Sequence, residues 1–131
     1  MQMKLQMIKS LMTSLMMKMN RVLRYSFILY SYNIVVNYMN ISINELKKIY
    51  KNINVIDIRS KNKYLLNHIS NSRNIDKNEL ILYPYKYLNK NEKYYIYCQN
   101  GISSLRVCQI LKNMGYNVYN IIGGYEEWLK Q

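Results

Sequence analysis

The chain is poor in the residue types that cross-link small proteins or bind metals. Its 131 residues include no alanine, one proline, one histidine and two cysteines, Cys98 and Cys108. Two cysteines that lie ten residues apart do not resemble a disulfide framework. With His68 as the single histidine, there are also too few soft ligands for a tetrahedral zinc site. The sequence therefore predicts no disulfide framework and no metal centre.

Acidic residues are also scarce. Seven Asp and Glu stand against 19 Lys and Arg, which gives a formal net charge of +12. Such a surface concentrates small anions and attracts nucleic acid or anionic lipid weakly. A composition rich in Asn, Lys, Ile and Tyr favours coding bias over electrostatic recognition as the source of the lysine excess. We therefore expect no nucleic-acid partner.

Long hydrophobic runs are absent as well. Polar residues interrupt the apolar stretch at 25–36, and at about a dozen residues it is too short for a membrane span. The first 38 residues hold seven of the nine methionines, five basic residues and no acidic residue. We predict that residues 1–38 are a basic leader outside the fold, either a targeting segment or the product of a mis-assigned start. Residues 39–131 are the predicted domain.

The rest of the chain shows alternating helix and strand signals. Ser42 followed by Glu45 is typical of a capping box, which predicts a helix at about 42–50. Apolar residues recur at helical spacing over 104–114, and Gly115 is a helix stop signal. Three β-rich runs are predicted strands, at 55–58, 94–97 and 118–122. The alternation predicts an α/β fold, a parallel sheet flanked by helices on both faces.

Cys98 follows a predicted strand directly and begins a short polar loop that leads into the helix expected at Ser104. Successive loop amides can turn inward and form an anion-binding nest, and the helix adds the positive end of its dipole. Both favour the thiolate over the thiol. Gly101 supplies the backbone freedom that a tight loop needs. A thiolate held in this way can attack sulfane sulfur, and the same donors would stabilise the persulfide anion that forms.

From Asn40 to Leu129 the chain resembles a single rhodanese domain, because four stretches match that family in the right order. They are Val55-Ile56-Asp57-Ile58-Arg59, Asn67-His68-Ile69 with Asn74-Ile75, Tyr97-Cys98-Gln99-Asn100-Gly101, and Gly115-Tyr116 with Gly123-Gly124-Tyr125-Glu126-Glu127-Trp128. The resemblance implies the rhodanese-like fold and a sulfurtransferase without a cofactor or metal. Such an enzyme carries sulfane sulfur as a persulfide on Cys98 and passes it to a thiol or to cyanide.

The active loop departs from the family at one position. Family members that act on thiosulfate usually carry an arginine where this chain has Ser103. The candidate to replace that cation is Arg106, which we expect to point from the first turn of the following helix. We expect thiosulfate to be a poorer donor than a protein or small-molecule persulfide. The residues predicted to bind the substrate or the persulfide are Gln99, Asn100, Gly101, Ile102, Ser103 and Ser104.

The remaining candidates are assigned supporting roles. Two roles stay open for Asp57, which either accepts amides of the Cys98 loop, as the resemblance implies, or ends its strand and caps the next turn. We interpret Arg59 as a structural partner of a nearby carboxylate rather than a substrate clamp. His68 is interpreted as structural, because a pre-ionised thiolate needs no general base. Cys108 is interpreted as a small buried side chain and not as a resolving thiol.

Two other functions compete with the sulfurtransferase. The first is a rhodanese-like binding or regulatory module with weak catalysis, which the loss of the loop arginine favours and the retention of Cys98 disfavours. The second is a cysteine phosphatase, whose Cys-x5-Arg loop would need an arginine where Ser104 stands. The expected partners are a small anionic sulfur donor or a persulfidated protein, and a thiol acceptor. A reduced thiol favours the cytoplasm, or an organelle if the leader is a targeting segment.

Overall fold

The computed structural model divides the chain into two compact units, residues 1–38 and residues 39–131. It describes the backbone of residues 1–131 and the side chains of residues 1–34 and 39–131. The first unit consists of two helices, α1 (Gln2–Met17) and α2 (Arg21–Tyr38). In the described part of the chain, no helix is both long and apolar enough to cross a bilayer. The role of the first unit as a leader stays a prediction.

The second unit is built on a five-stranded parallel sheet with the strand order β1-β5-β4-β2-β3. The strands are β1 (Asn40–Ile41), β2 (Asn54–Asp57), β3 (Ser72–Asn74), β4 (Lys93–Tyr97) and β5 (Asn117–Ile121). The three predicted strands are confirmed as β2, β4 and β5, each within one residue at its ends. They form the centre of the sheet. Central strands bury apolar side chains, and this apolar pattern allows them to be predicted from the sequence.

Helices cover both faces of this sheet, as predicted. They are α3 (Ile43–Ile49), α4 (Lys61–Leu66), α5 (Lys77–Leu82), α6 (Ile102–Asn113) and α7 (Gly124–Leu129). Alternate strand residues face opposite sides, so Ile96 packs in one apolar cluster with α5 and α6, and Tyr95 packs in the other with α3 and α7. Short 3-10 helices at Tyr50–Asn52 and Pro84–Lys86 complete the connections.

The capping box before α3 is confirmed. The Ser42 hydroxyl accepts the backbone N–H of Glu45 at 3.2 Å, and the Glu45 carboxylate accepts the backbone N–H of Ser42 at 3.0 Å. These two bonds satisfy amide donors that a helix start leaves unpaired. Helix α3 therefore begins at Ile43.

The helix after the Cys98 loop begins two residues earlier than its predicted start at Ser104. Gly101 takes a φ of 88°, and the side chain of Asn100 accepts the backbone N–H of Ile102 at 3.1 Å. Together they direct the chain into α6 at Ile102. The Ile102 side chain is 58% exposed, so it does not belong to the buried face whose apolar spacing predicted this helix. The earlier start shortens the loop and makes Ser104 the third residue of the helix, so each later residue lies two positions further from the helix start.

Candidate active site

Cys98 lies at the carboxyl end of β4, where the sheet stops and the chain turns into a tight loop. Its side chain is almost fully buried at 6% exposure. Two backbone donors point at the sulfur, the N–H of Gly101 at 3.2 Å and the N–H of Ser104 at 3.3 Å. The hydroxyl oxygen of Ser104 lies 3.2 Å from the sulfur, and either atom of this pair can be the donor. The predicted anion-binding nest around Cys98 is thus present in the geometry, with the first turn of α6 supplying part of it.

Two opposing effects act on the pKa of Cys98. Burial of the sulfur raises the pKa, because it penalises the charged form. Hydrogen bonds from the Ser104 side chain and from the backbone N–H groups of Ser104, Gly101 and Asn100 lower it and outweigh burial. The pKa of Cys98 therefore lies below that of an ordinary thiol, which increases the thiolate fraction at neutral pH.

The loop is held from behind by the turn that begins α7. The backbone N–H of Tyr125 donates to the carbonyl of Cys98 at 2.9 Å, and the backbone N–H of Glu126 donates to the carbonyl of Gln99 at 2.9 Å. This approach requires the glycine pair before Tyr125: a Cβ on Gly124 would collide with the carbonyl oxygen of Cys98. From the sequence, Gly123 and Gly124 indicated only the end of the domain, and their role in holding the loop was missed.

A second missed residue is Asn120 on β5, which is 3% exposed. Its side-chain oxygen accepts the hydroxyl of Ser104 at 2.5 Å, and its side-chain nitrogen donates to the Asn40 side-chain oxygen at 2.9 Å. The only sequence signal was a polar residue inside a β-rich run, which is equally typical of a solvent-facing position. The structure instead places Asn120 directly behind a residue of the Cys98 loop.

Asp57 and Arg59 form a buried ion pair at the end of β2. Arg59 Nη2 lies 2.8 Å from Asp57 Oδ2, and Asp57 Oδ1 also accepts the backbone N–H of Arg59 at 2.8 Å. Of the two roles left open for Asp57, the geometry shows the strand-end turn. In the part of the chain that the structure describes, its carboxylate is bonded to Arg59 and accepts no hydrogen bond from the backbone of loop 98–104. Arg59 is the partner of a carboxylate, as interpreted from the sequence.

Arg59 also links that pair to the Cys98 loop and to α7. Its Nη1 approaches the Gln99 side-chain oxygen at 3.5 Å, its Nη2 donates to the Asn67 carbonyl at 2.7 Å, and its guanidinium lies 4.0 Å from the ring centroid of Tyr125. Stacking on an aromatic face adds to the attraction of a buried guanidinium. Arg59 is therefore fixed by its neighbours on three sides, which favours a supporting role.

The expectation for Arg106 needs a correction. Because α6 begins at Ile102, Arg106 falls in the second turn of the helix and not in the first, and its side chain is exposed. The loop residues Gln99 and Ser103 are half-buried and Asn100 is exposed, so this side of the loop faces solvent. No hydrogen bond from Arg106 to the loop is present in the described structure, so the geometry does not show Arg106 supplying the missing loop cation.

The remaining candidates lie apart from the sulfur. His68 Nδ1 is 2.8 Å from the Tyr64 carbonyl oxygen, and the His68 ring stacks on the Tyr64 ring at 3.8 Å between centroids. Both contacts favour the structural interpretation. Cys108 is fully buried on α6, and burial raises the pKa of its thiol. A buried thiol that stays protonated is a poor nucleophile, which agrees with the interpretation of Cys108 as a packing residue.

A cysteine that follows a central parallel strand, with backbone amides directed at its sulfur, defines an α/β protein with an anion-stabilising thiol loop. Ligand sites of parallel sheets commonly lie at these carboxyl ends. The model of the family "Rhodanese-like domain" matches residues 42–131. The chain belongs to the rhodanese-like family, and the four stretches that carried the resemblance lie within or at the edge of the matched range.

Individual relatives agree with this assignment. Over 79 residues the chain is 35% identical to a thiosulfate sulfurtransferase GlpE of Coxiella burnetii. The aligned part makes up 60% of this chain and 73% of that relative. A thiosulfate sulfurtransferase GlpE of Shewanella oneidensis is 27% identical over 70% of this chain and 93% of its own length. The crystal structure of a rhodanese-like domain protein from Staphylococcus aureus superposes with a TM-score of 0.62 at 29% identity, covering 68% of this chain and 89% of that one.

Proposed function

We propose that this protein is a sulfurtransferase in which Cys98 carries sulfane sulfur as a persulfide. The observation that carries the proposal is the hydrogen bonding at the sulfur: the N–H groups of Gly101 and Ser104 donate to it, and the Ser104 hydroxyl lies within hydrogen-bond distance. Donors that stabilise a thiolate also stabilise a persulfide anion, because both place negative charge on sulfur. The names of the relatives, thiosulfate sulfurtransferases, support the same reaction class.

The reaction is a double displacement. The Cys98 thiolate attacks the outer sulfur of thiosulfate, the S–S bond of the donor breaks, and sulfite leaves with the bonding electron pair. Cys98 then carries a persulfide. In the second step an acceptor thiolate or cyanide attacks the terminal sulfur, and the Cys98 thiolate leaves. The products are a new persulfide or thiocyanate, and neither step needs an external electron acceptor.

The donor preference follows from the charge near the loop. Thiosulfate carries two negative charges, and this chain has Ser103 where thiosulfate-specific loops usually place an arginine. The names of the relatives support thiosulfate as an accepted donor. We expect a protein or small-molecule persulfide to be the better donor, because its leaving thiolate needs less positive charge nearby.

The proposed competitor functions predict different chemistry. A phosphatase would need a guanidinium at position 104, where a fully buried Ser104 instead bonds to the Cys98 sulfur. A binding module without catalysis would not need the hydrogen bonds that lower the pKa of Cys98. Because a nucleophilic thiol must stay reduced, we place the protein in the cytoplasm, or in an organelle if residues 1–38 act as a targeting segment.

Intact-mass measurement tests this function. The protein is incubated with thiosulfate or with a small persulfide, desalted and weighed, and then treated with cyanide. We expect a gain of one sulfur atom that cyanide removes as thiocyanate. The variant Cys108→Ala is the matched control and should gain the same mass, whereas Cys98→Ala should gain none. A protein that takes up no sulfur from either donor, and whose thiol is alkylated as slowly as an ordinary one, would be a binding module.

A further inference from the structure

Behind the Cys98 loop, buried polar side chains form a line of hydrogen bonds that leads away from the sulfur. Cys98 Sγ lies 3.2 Å from Ser104 Oγ, and Ser104 Oγ lies 2.5 Å from Asn120 Oδ1. Ser104 is fully buried and Asn120 is 3% exposed. Polar groups at such depth cost folding free energy unless they are paired, so each proton in this line needs a definite acceptor.

The Ser104 hydroxyl has one proton and two acceptors within reach. When Cys98 is a thiol, its S–H can donate to Ser104 Oγ while the hydroxyl donates to Asn120 Oδ1, and every group is paired. When Cys98 is a thiolate or a persulfide, its sulfur only accepts. The hydroxyl can donate to the sulfur only by giving up its bond to Asn120, so the sulfur and Asn120 compete for one proton.

The orientation of the Asn120 amide follows from its place in the sheet. Asn120 on β5 lies in register with Asn40 on the edge strand β1 and with Ile96 on β4. Its side-chain nitrogen donates to the Asn40 side-chain oxygen at 2.9 Å, so its oxygen faces Ser104. Its backbone N–H donates to the Met39 carbonyl at 2.7 Å, which fixes the strand at this point.

We propose that Asn120 is a positioning residue that competes with the Cys98 sulfur for the proton of the Ser104 hydroxyl. The hydrogen bond to Asn120 keeps the hydroxyl from donating fully to an anionic sulfur, so the thiolate is held mainly by the two backbone N–H groups. A less heavily stabilised thiolate is a stronger nucleophile, because nucleophilicity falls as thiol acidity rises. The role of this competition in sulfur transfer rests on the proposed function, whereas the competition for the hydroxyl proton does not.

Other ionisable groups near the loop have settled partners. Cys108 on α6 interacts electrostatically with Cys98, and burial raises the pKa of its thiol. Asp57 and Arg59 at the end of β2 are paired with each other. From α7, Tyr125 and Glu126 reach the loop through their backbone N–H groups. The proton of the Ser104 hydroxyl is therefore the one for which the sulfur and Asn120 compete.

The test measures the rate at which Cys98 is alkylated by iodoacetamide across pH, read by mass spectrometry of the peptide that contains Cys98. In Asn120→Leu the competing acceptor is gone and the side-chain volume is nearly kept. The hydroxyl then donates to the thiolate, so the midpoint of the profile should move to lower pH. At pH values below that midpoint, one hydrogen bond of about 1 kcal/mol raises the thiolate fraction about fivefold. Because the more acidic thiolate is a weaker nucleophile, alkylation should be faster by about twofold. Asn120→Asp, which only accepts and adds negative charge, should move the midpoint to higher pH.

Two controls separate this role from a purely structural one. Asn117→Leu removes a polar side chain at the far end of the same strand and should leave the profile unchanged. Ser104→Ala should move the midpoint to higher pH, and adding Asn120→Leu to it should cause no further shift. Folding of each variant is checked by the fluorescence of Trp128, the single tryptophan.

An unchanged or higher midpoint in folded Asn120→Leu would overturn the proposal. So would an equal shift from Asn120→Leu in the Ser104→Ala background, because the effect would then not pass through the hydroxyl. If Asn120→Leu does not fold, the direction of the shift in Asn120→Asp decides alone. Alkylation requires no sulfur donor, so these outcomes are independent of whether the protein transfers sulfur.

Discussion

Replacing Gly124 by alanine should separate the Cys98 loop from the turn that holds it. An alanine at φ +59° costs about 1–2 kcal/mol in backbone strain. Its Cβ would also meet backbone atoms of the loop, including the Gly101 nitrogen at 2.9 Å and the Gln99 carbonyl carbon at 3.0 Å. Backbone atoms on both sides leave no flexible side chain that can move aside.

The displacement should break the two hydrogen bonds that α7 donates to the carbonyls of Cys98 and Gln99. At about 1 kcal/mol for each bond, the total loss of unfolding free energy is about 3–4 kcal/mol. The displaced loop should also lose the donors on the sulfur, so alkylation of Cys98 at neutral pH should slow by about tenfold or more.

Urea unfolding followed by Trp128 fluorescence measures the first effect, and the alkylation rate measures the second. Gly115→Ala is the matched control, because Gly115 also has a positive φ, 93°, but follows α6 away from the loop. It should cost about 1–2 kcal/mol and leave alkylation unchanged. Gly124→Ala protein that alkylates Cys98 at the wild-type rate would refute the reasoning that the glycine pair holds the loop.

Three further predictions concern the ion pair, the domain boundary and the thiol. Arg59→Gln should lower the unfolding free energy by about 3 kcal/mol in urea titrations, because it leaves the Asp57 carboxylate buried without its cation; a loss below about 0.5 kcal/mol would contradict this. Residues 39–131 expressed alone should give the same unfolding midpoint and sulfur uptake as the whole chain, and aggregation of this fragment would show that the boundary is wrong. Sulfur transfer from a donor in excess should fall as the pH is lowered through the pKa of Cys98, because the thiolate is the attacking species; a rate that rises toward acid would contradict that assignment.

The centre of the fold was predictable because its signals are local. The runs around Val55, Ile96 and Val118 are apolar and β-branched or aromatic, and the capping box at Ser42 is a two-residue pattern with one physical meaning. The edge strands β1 and β3 were not predicted, since pairs such as Asn40–Ile41 and triplets such as Ser72–Asn74 carry no apolar period. Their strand character comes from pairing with β5 and β2.

The candidate site was predictable only where it lies within one stretch of chain. Cys98 and the Gly101 turn follow from a strand that ends in a loop before a helix. Asn120 and Gly124 contact this loop from sixteen or more residues away along the chain, and their contribution depends on the parallel register of β4 and β5. That register appears only in the folded chain, so the sequence alone could not assign these residues to the site.

The most direct test of the account is the titration of the Cys98 thiol in a Cys108→Ala variant, followed by the ultraviolet absorbance of the thiolate. The account predicts a midpoint below that of a free cysteine, because the hydrogen bonds at the sulfur outweigh its burial. A midpoint at or above the free value would contradict it and leave the thiol without the ionisation that sulfur transfer requires.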